Sequence, residues 1–348
     1  MTTTAHLGAN GTGPVTGGPG AGREPGGRGR LRGLGWLVWR QHRLFFGLLL
    51  AAVVGGAAWC VVLRGRMAGF IASHHIDGCS LISLVPRCEG TQEAVTEFRG
   101  TYGWALQLAE MGLLLLPVLI GLFLGAPLIA RELEAGTHQL VLTQSVGPLR
   151  WLAAKAALPA LVVLSGVTAL SAVFTWMWQA AGDEVSGAYW YSTTDFAVLG
   201  PVPVAYALLG LAVGVLAGLL LRRTVPTMGV TLGAMILAPF VLKQIRPYLM
   251  PIRTAEFGPE EAAQLPDNAW LVGQGHYTRS GAHLPDNVCD SFGDYESCLR
   301  ARGVVGQYMD YQPASHHWPL AWIESGLVLA VVAVLTVIAF RVMRRRHG

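Results

Sequence analysis

The chain has 348 residues, of which 52% are hydrophobic and only 13% are charged. Soluble domains carry roughly 25% charged residues, so this composition argues against a water-soluble enzyme. The formal net charge of +4 rests on arginine, because Lys155 and Lys243 are the only lysines in the sequence. The arginines lie beside apolar blocks instead of along one soluble face, which argues against a nucleic-acid partner. These properties predict a polytopic membrane protein.

The first 30 residues are rich in Gly, Pro, Thr and Ala and contain only scattered arginines. Such a segment cannot bury enough apolar surface to offset the entropy lost on ordering. Residues 1–30 are therefore predicted to be a disordered tail, and residues 31–348 to form one membrane domain. The tail also lacks the apolar region and cleavage site of a signal peptide.

Apolar blocks of about 20 residues, each long enough to cross a ~30 Å hydrocarbon layer as a helix, occupy much of the remaining chain. They predict an all-α fold with six transmembrane helices and a large extracellular loop, residues 243–319, between helices 5 and 6. The predicted spans are Leu44–Leu63, Met111–Ala130, Ala156–Ala181, Phe196–Leu221, Val225–Leu242 and Leu320–Phe340.

Arginine is concentrated in the short segments on the side of the two chain termini. Basic residues in short loops mark the cytoplasmic side of a membrane, whereas long loops translocate largely regardless of charge. Both termini are therefore predicted to be cytoplasmic, in a multi-pass protein of the cell membrane. The long outer loop is rich in aromatic and turn residues, which favours a compact cap over a floppy linker.

The cysteines divide into one residue inside a span and two pairs outside the membrane. Cys60 lies in the first predicted span and is expected to be an inert packing residue. Cys79 and Cys88, like Cys289 and Cys298, are separated by eight residues in the predicted outer loops. An even number of cysteines on an oxidising side favours disulfides. Of the three possible pairings, the two local ones are preferred because short loops close easily.

Histidines near these cysteines raise the alternative of a metal site. We disfavour it, because the cysteine spacing matches no usual zinc motif and thiols facing an oxidising space tend to pair. No metal ligand set is therefore predicted. The histidines concerned are His74, His75, His276, His283, His316 and His317.

The motifs of the common hydrolases are absent from the sequence. A nucleotide-binding P-loop needs a lysine followed by Ser or Thr, but Lys155 is followed by Ala156 and Lys243 by Gln244. Neither the zinc-protease nor the serine-hydrolase signature occurs. If the protein uses ATP, a separate chain must hydrolyse it, and no cofactor is expected on this one.

Two acidic residues lie in or directly beside the apolar blocks. Charged groups in a membrane are costly, so such residues are functional candidates. Glu110 and Glu324 lie near the outer ends of their spans. The preferred interpretation is that they are interfacial carboxylates bonded to Trp side chains or backbone of the cap loop. Lining an outer vestibule and a proton relay are the alternatives.

Glycines also recur at a spacing of four within the apolar blocks, which lets helices approach closely in lipid. Packing within one subunit and contact with a second copy both remain open for them. They are Gly121 and Gly125, then Gly210, Gly214 and Gly218, and finally Gly229 and Gly233.

The segment between predicted spans 2 and 3 carries the most specific pattern. Residues 131–145 read R-E-x-E-x-G-T-x-x-x-x-x-T-Q-S, and W-L-x-x-K follows at residues 151–155. A charged helix stopped by Gly136 and followed by mixed polar and apolar residues suits docking against a soluble partner. In this pattern the chain resembles the permease subunits of type-2 ABC exporters, in particular actinobacterial-looking members, and the resemblance extends over residues 31–348.

The resemblance implies that residues 131–145 form a coupling helix against an ABC ATPase, and that residues 31–43 form an interfacial helix along the inner leaflet. It also implies that ATP and magnesium bind the partner ATPase and that a second permease copy completes the transporter. The implied coupling residues are Arg131, Glu132, Glu134, Gly136, Thr137 and Gln144. Those implied to contact membrane lipid are Trp36, Trp39, Arg40 and Arg43, whose residue types suit an interface.

The function predicted is therefore a permease subunit that moves an unknown substrate outward with a separate ATPase. Two alternatives remain open. A membrane sensor or resistance component would use the outer loops to recognise a ligand. An ion-coupled secondary transporter would show inverted repeats with unwound helices in mid-membrane, and several span prolines could break helices in that way.

Overall fold

The computed structural model describes residues 28–81, 86–136, 147–258, 261, 263–290 and 294–347. Among these residues, six helical segments are long and apolar enough to cross a membrane, and the chain is a multi-pass membrane protein. We number them spans 1 to 6: Trp39–His74, Gln92–Glu134, Pro148–Ser186, Val202–Leu221, Thr224–Tyr248 and Ala314–Arg346. Residues 1–27 of the predicted tail lie outside the described residues.

The α-helices follow the apolar blocks of the sequence, and spans 1, 4, 5 and 6 each rest on a single long helix, whereas the helix of span 3 has a kink at Gly182. Their bounds are α1 Arg28–His74, α2 Gln92–Ile120, α3 Ala126–Glu134, α4 Pro148–Ser186, α5 Thr193–Val198, α6 Val202–Leu221, α7 Thr224–Ile245, α8 Tyr295–Ala301 and α9 His317–His347. Span 2 joins α2 to α3 through a π-helical turn at Gly121–Gly125.

Two predicted helix boundaries are wrong. The interfacial helix expected over residues 31–43 is not a separate element, because α1 runs unbroken from Arg28 into span 1; the segment contains no proline to interrupt it. Span 4 begins at Val202 and not at Phe196, which belongs to the short helix α5. The break falls at Gly200, whose φ of 59° is left-handed.

Span 4 lies at the centre of the bundle and contacts spans 2, 3, 5 and 6. Its glycines meet those of span 2, and a Cβ atom added at Gly214 would lie 2.4 Å from the Gly125 carbonyl carbon. The two backbones therefore touch, which is the close approach that this glycine spacing allows. In contrast, a Cβ atom at Gly229 or Gly233 of span 5 would meet no atom of the described chain within 4 Å.

The expectation of an all-α fold is wrong for the loop between spans 5 and 6. This loop contains a four-stranded antiparallel sheet in the order β1-β4-β2-β3, built from Arg253–Phe257, Trp270–Thr278, His283–Pro285 and Val304–Gln312. The central strand β4 pairs Tyr311 with Arg253 of β1 and Gln312 with Trp270 of β2. We call the sheet and its connections the cap, its side of the bundle the cap end, and the opposite side the base.

The cap is attached to the spans by side-chain contacts. Gln312 donates from its amide to the carbonyl oxygens of Pro247 and Met250 at 2.9 and 3.0 Å. The indole of Trp190 donates to the Asn268 carbonyl at 2.8 Å, and its ring lies 5.4 Å from that of His317. Trp190 is almost completely buried, so the cap contacts an aromatic cluster at this end of the bundle.

Candidate functional site

The base of span 2 carries the acidic segment singled out by the sequence. Helix α3 ends at Glu134, and Gly136 adopts a φ of 71° two residues later. The left-handed conformation suits glycine, which has no Cβ atom to clash, so the predicted stop at this glycine is confirmed. Thr137 and Gln144 of the predicted coupling set lie outside the described residues.

Glu132 joins three spans at the base. Its carboxylate forms an ion pair with the Lys155 ammonium of span 3 and accepts a hydrogen bond from the Gln41 amide of span 1 at 3.0 Å. The side chains of Lys155 and Glu132 are 4% and 14% exposed. Lys155 also donates to the Leu128 carbonyl at 3.5 Å. A buried charge needs such partners to offset its desolvation, so this contact fixes the base of span 2 against spans 1 and 3.

Glu134 joins the same segment to span 5. Its carboxylate oxygen accepts hydrogen bonds from the Thr224 backbone N–H at 2.9 Å and from the Thr224 hydroxyl at 2.7 Å. Thr224 is the first residue of α7. The amides of a first helical turn lack partners within the helix and attract negative charge. Glu134 therefore caps the base of span 5 from a different helix.

The two acids thus have partners within the chain, whereas the sequence pointed only to a contact with an ATPase. That contact is untested and stays a prediction. Arg131 and Gly136 are exposed beside them, so they are open to a partner at the base. The surface formed by Arg131–Gly136, with its attachments to spans 1, 3 and 5, is the candidate coupling site.

The residues predicted to contact membrane lipid lie on the exposed side of α1. Trp36 and Trp39 are 59% and 51% exposed, and Arg40 and Arg43 are exposed as well. The Arg40 guanidinium lies 5.4 Å from the centre of the Trp36 ring. Tryptophan beside arginine suits the headgroup layer, but its contact with lipid remains a prediction.

Glu324, predicted as an interfacial carboxylate, is instead fully buried at the cap end. Its two oxygens accept from Nε and Nη2 of Arg246 at 2.7 and 3.1 Å, and the Tyr206 hydroxyl donates to it at 3.1 Å. The Arg246 guanidinium also lies 3.7 Å from the centre of the Phe196 ring. The two-pronged contact matches the planar fork of arginine, and it ties spans 4, 5 and 6 together.

Glu110 lies beside a second carboxyl group, Asp195. Asp195 is 5% exposed, and one of its carboxylate oxygens accepts a hydrogen bond from the Ser192 hydroxyl at the start of α5. The sequence analysis missed Asp195, although the S-x-x-D pattern of a helix start was present at residues 192–195.

The cysteines form the two local pairs that the spacing favoured. The sulfur atoms of Cys79 and Cys88 are 2.00 Å apart, and those of Cys289 and Cys298 are 2.09 Å apart. The second pair lies in the cap, where the Ser297 N–H bonds to Asp294 and lowers the pKa of that carboxyl. Cys60 is buried and free. Within the described ranges, no group of three or more His, Cys, Asp or Glu side chains is placed to hold a metal ion.

Comparison with known proteins gives one family. The model of a family described as ABC-2 membrane transporter related matches residues 50–246, from span 1 to the end of span 5. Neither the curated proteins nor the solved structures include a significant match to the chain. The matched region contains residues 131–136 of the candidate coupling site with Lys155 and Thr224, but it excludes Gln41 and the cap.

Proposed function

The chain belongs to the ABC-2 membrane transporter related family, and on that premise we propose that it is the permease subunit of an ATP-driven exporter. A separate ABC ATPase binds at the base, and closure of the ATPases on ATP drives the spans between inward-facing and outward-facing states. The observation that carries this proposal is the candidate coupling site, which is exposed at Arg131 and attached to three further spans by Glu132 and Glu134.

Transmission of force needs a rigid path from the docking surface to the moving helices. A push on residues 131–136 reaches span 3 through Lys155, span 1 through Gln41 and span 5 through Thr224. In this scheme Glu132 and Glu134 position the segment, while Arg131 makes the contact with the ATPase. ATP and magnesium stay on the partner chain, in keeping with the absence of a P-loop lysine here.

A second permease copy completes the path, with span 5 as the contact. Only 17% of its most apolar stretch is buried within the chain, the same share as in span 6, against 67% for span 4. Gly229 and Gly233 have open space beside them, and glycines spaced by four residues form close helix contacts in lipid. We expect the substrate to leave between the two copies, beneath the two caps.

The proposed orientation places the base in the cytoplasm of the cell membrane, with both termini there. The support is the concentration of arginine in the short segments at this side, such as Arg222 and Arg223 between spans 4 and 5 and the group Arg344–Arg346. Trp36, Trp39, Arg40 and Arg43 would then contact lipid headgroups of the inner leaflet.

The test is ATP hydrolysis by the assembled complex. The full-length chain is purified with each candidate ATPase and reconstituted in proteoliposomes, and vanadate-sensitive hydrolysis is measured. Wild type is expected to retain one ATPase and to stimulate it. Arg131→Glu reverses a charge at the proposed contact and should lower the amount of co-purified ATPase by roughly ten-fold.

Arg279→Glu is the matched control, because Arg279 is exposed in the cap, on the opposite side of the bundle. It should leave the amount of co-purified ATPase at the wild-type level. If no ATPase binds wild type, or if Arg131→Glu binds as much ATPase as Arg279→Glu, the proposed docking site is wrong.

A further inference from the structure

A groove with a volume of about 570 Å³ runs between spans 3, 4 and 6 on their cap-side half. Volumes of this order are typical of small-molecule sites. The groove opens sideways toward the membrane, because Trp176, Trp322 and Leu329 on its walls are 46%, 64% and 42% exposed. It lies outside the candidate coupling site and outside the proposed contact between copies on span 5.

One wall of the groove is fixed by hydrogen bonds to both backbone groups of Gly200. The Gly200 N–H donates to the Thr175 hydroxyl at 3.0 Å, and its carbonyl accepts from Ser171 at 2.6 Å. Trp318 packs directly on this glycine, and a Cβ atom there would lie 2.7 Å from the indole ring. The left-handed φ of Gly200 and the lack of a side chain therefore hold Trp318 in the groove wall.

A buried hydroxyl lies in the wall of this groove. Ser325 lines the groove and is 2% exposed, yet its Oγ atom has no hydrogen-bond partner among the described residues. Other hydroxyls in the spans bond to their own helix: Ser165 to the Leu161 carbonyl at 2.9 Å and Thr336 to the Val332 carbonyl at 2.7 Å. A buried polar group without a partner is costly, so Ser325 is the group that a ligand would satisfy.

The depth of Ser325 narrows the class of ligand. It lies eight residues beyond His317, the first residue of α9, which corresponds to about 12 Å along the helix. Tryptophans occupy the headgroup layer of membranes, and Trp318 and Trp322 lie between that helix start and Ser325. The residues that line the groove include no charged side chain. A ligand that reaches Ser325 therefore presents an uncharged acceptor oxygen at the depth of this hydroxyl and a hydrocarbon chain deeper in the membrane.

We propose that the groove binds one acyl chain of a diacyl lipid from the cap-side leaflet, with the Ser325 hydroxyl donating to the ester carbonyl oxygen of that chain. The chain follows the apolar wall from Ser325 toward Leu164, Leu208 and Leu329. The charged headgroup stays outside, in the layer of Trp318 and Trp322. The bound lipid fills the space between spans 3 and 6.

The probe is a phosphatidylcholine with a photoreactive diazirine on one acyl chain. The full-length chain in detergent micelles is illuminated with increasing amounts of the probe, and the labelled residues are mapped by mass spectrometry. Saturable labelling on the groove-lining parts of spans 3 and 6 is expected for wild type. Labelling that never saturates, or that spreads evenly over all six spans, would show that the probe contacts the protein only as non-specific surrounding lipid. Either result would overturn the proposal.

Gly326→Leu fills the groove, since a Cβ atom at Gly326 meets no atom within 4 Å, and it should lower the saturable labelling by at least about ten-fold. Gly69→Leu is the matched control, in equally open space on span 1, and should label as wild type does. Ser325→Ala keeps the groove but removes the donor, and should weaken apparent affinity by roughly five-fold. If Gly326→Leu is labelled as strongly as wild type, the proposal is wrong. It is also wrong if Gly326→Leu converts a dimer into a monomer, because the groove would then be a contact between two copies of the chain.

Discussion

The two ends of the bundle each carry a buried ion pair, but the pairs differ in how completely they are enclosed. At the cap end, Glu324 is 0% exposed and meets Arg246 through two hydrogen bonds, with Tyr206 as a third donor. At the base, Glu132 remains 14% exposed and meets the single ammonium of Lys155. Three hydrogen bonds fix the geometry of the pair at the cap end, whereas the pair at the base is partly accessible to water.

This difference indicates which end can rearrange. Breaking a fully enclosed pair leaves an unpartnered charge in the membrane, which is strongly unfavourable. A pair near water can open with its charges rehydrated. We therefore expect the cap end to hold spans 4, 5 and 6 as a fixed unit, and we expect the Glu132–Lys155 pair at the base to be the easier of the two to break.

The largest effect is expected from Glu324→Gln. The change leaves the Arg246 guanidinium buried without an anion and should lower the free energy of unfolding by about 3–5 kcal/mol, as measured by denaturant titration of the purified chain. Glu296→Gln, on the exposed surface of α8, is the control and should change it by less than about 0.5 kcal/mol. Equal stability of the two variants would show that the cap-end pair is not needed.

Removal of the cap disulfide should have the next largest effect. The double variant Cys289→Ser with Cys298→Ser opens a loop of nine-residue separation and should lower the stability of the cap by about 2–3 kcal/mol. Limited proteolysis should then cut within the cap while spans 4, 5 and 6 stay intact. Loss of the spans together with the cap would show that the two do not unfold separately.

A smaller effect is expected from Glu132→Gln at the base. The amide can still accept from Gln41 but no longer neutralises Lys155, and the free energy of unfolding should fall by about 1.5 kcal/mol. Stimulation of a bound ATPase should fall while its co-purification is retained. Gln41→Ala, which keeps the ion pair, is the control. If Glu132→Gln lost the ATPase altogether, Glu132 would belong to the docking contact itself.

The smallest effect is expected from Glu134→Gln, which weakens the cap on α7. The amide keeps an acceptor oxygen but not the charge that favours the start of a helix. Hydrogen exchange of the Thr224 amide should become several-fold faster, with global unfolding unchanged. An unchanged exchange rate would show that Thr224 does not depend on this carboxylate.

The spans, the local cysteine pairs and the stop at Gly136 could be predicted because each depends on residues close in sequence. The cap sheet could not. Its central strand β4 pairs with β1, about 50 residues earlier, and β2 reads WLVGQGHYT, with glycines in place of a regular alternation of apolar residues. The pairing of strands that are distant in sequence produces no recognisable pattern in the residues of either strand.

The partners of the acidic residues were also beyond local reasoning. The sequence singles out Glu132 and Glu324, but it points to Lys155 only as a P-loop candidate and as part of the W-L-x-x-K pattern, and it does not single out Arg246. Their contacts join residues 23 and 78 positions apart. A charge in an apolar block predicts that a partner exists, but only the packing of the helices identifies it.

The separation between Arg246 and Glu324 has a consequence for biosynthesis. At 5–20 residues per second, the ribosome needs roughly 4–16 s to add the 78 residues that separate them. Arg246 is therefore made well before its carboxylate partner exists. Arg246 lies on a short 3₁₀ turn after α7 and not in the middle of a span. Its guanidinium can therefore stay hydrated at the membrane surface until Glu324 has been synthesised. The cap end can assemble only after the last helix, α9, has been synthesised. A chain truncated before α9 would therefore contain Arg246 without its ion-pair partner Glu324.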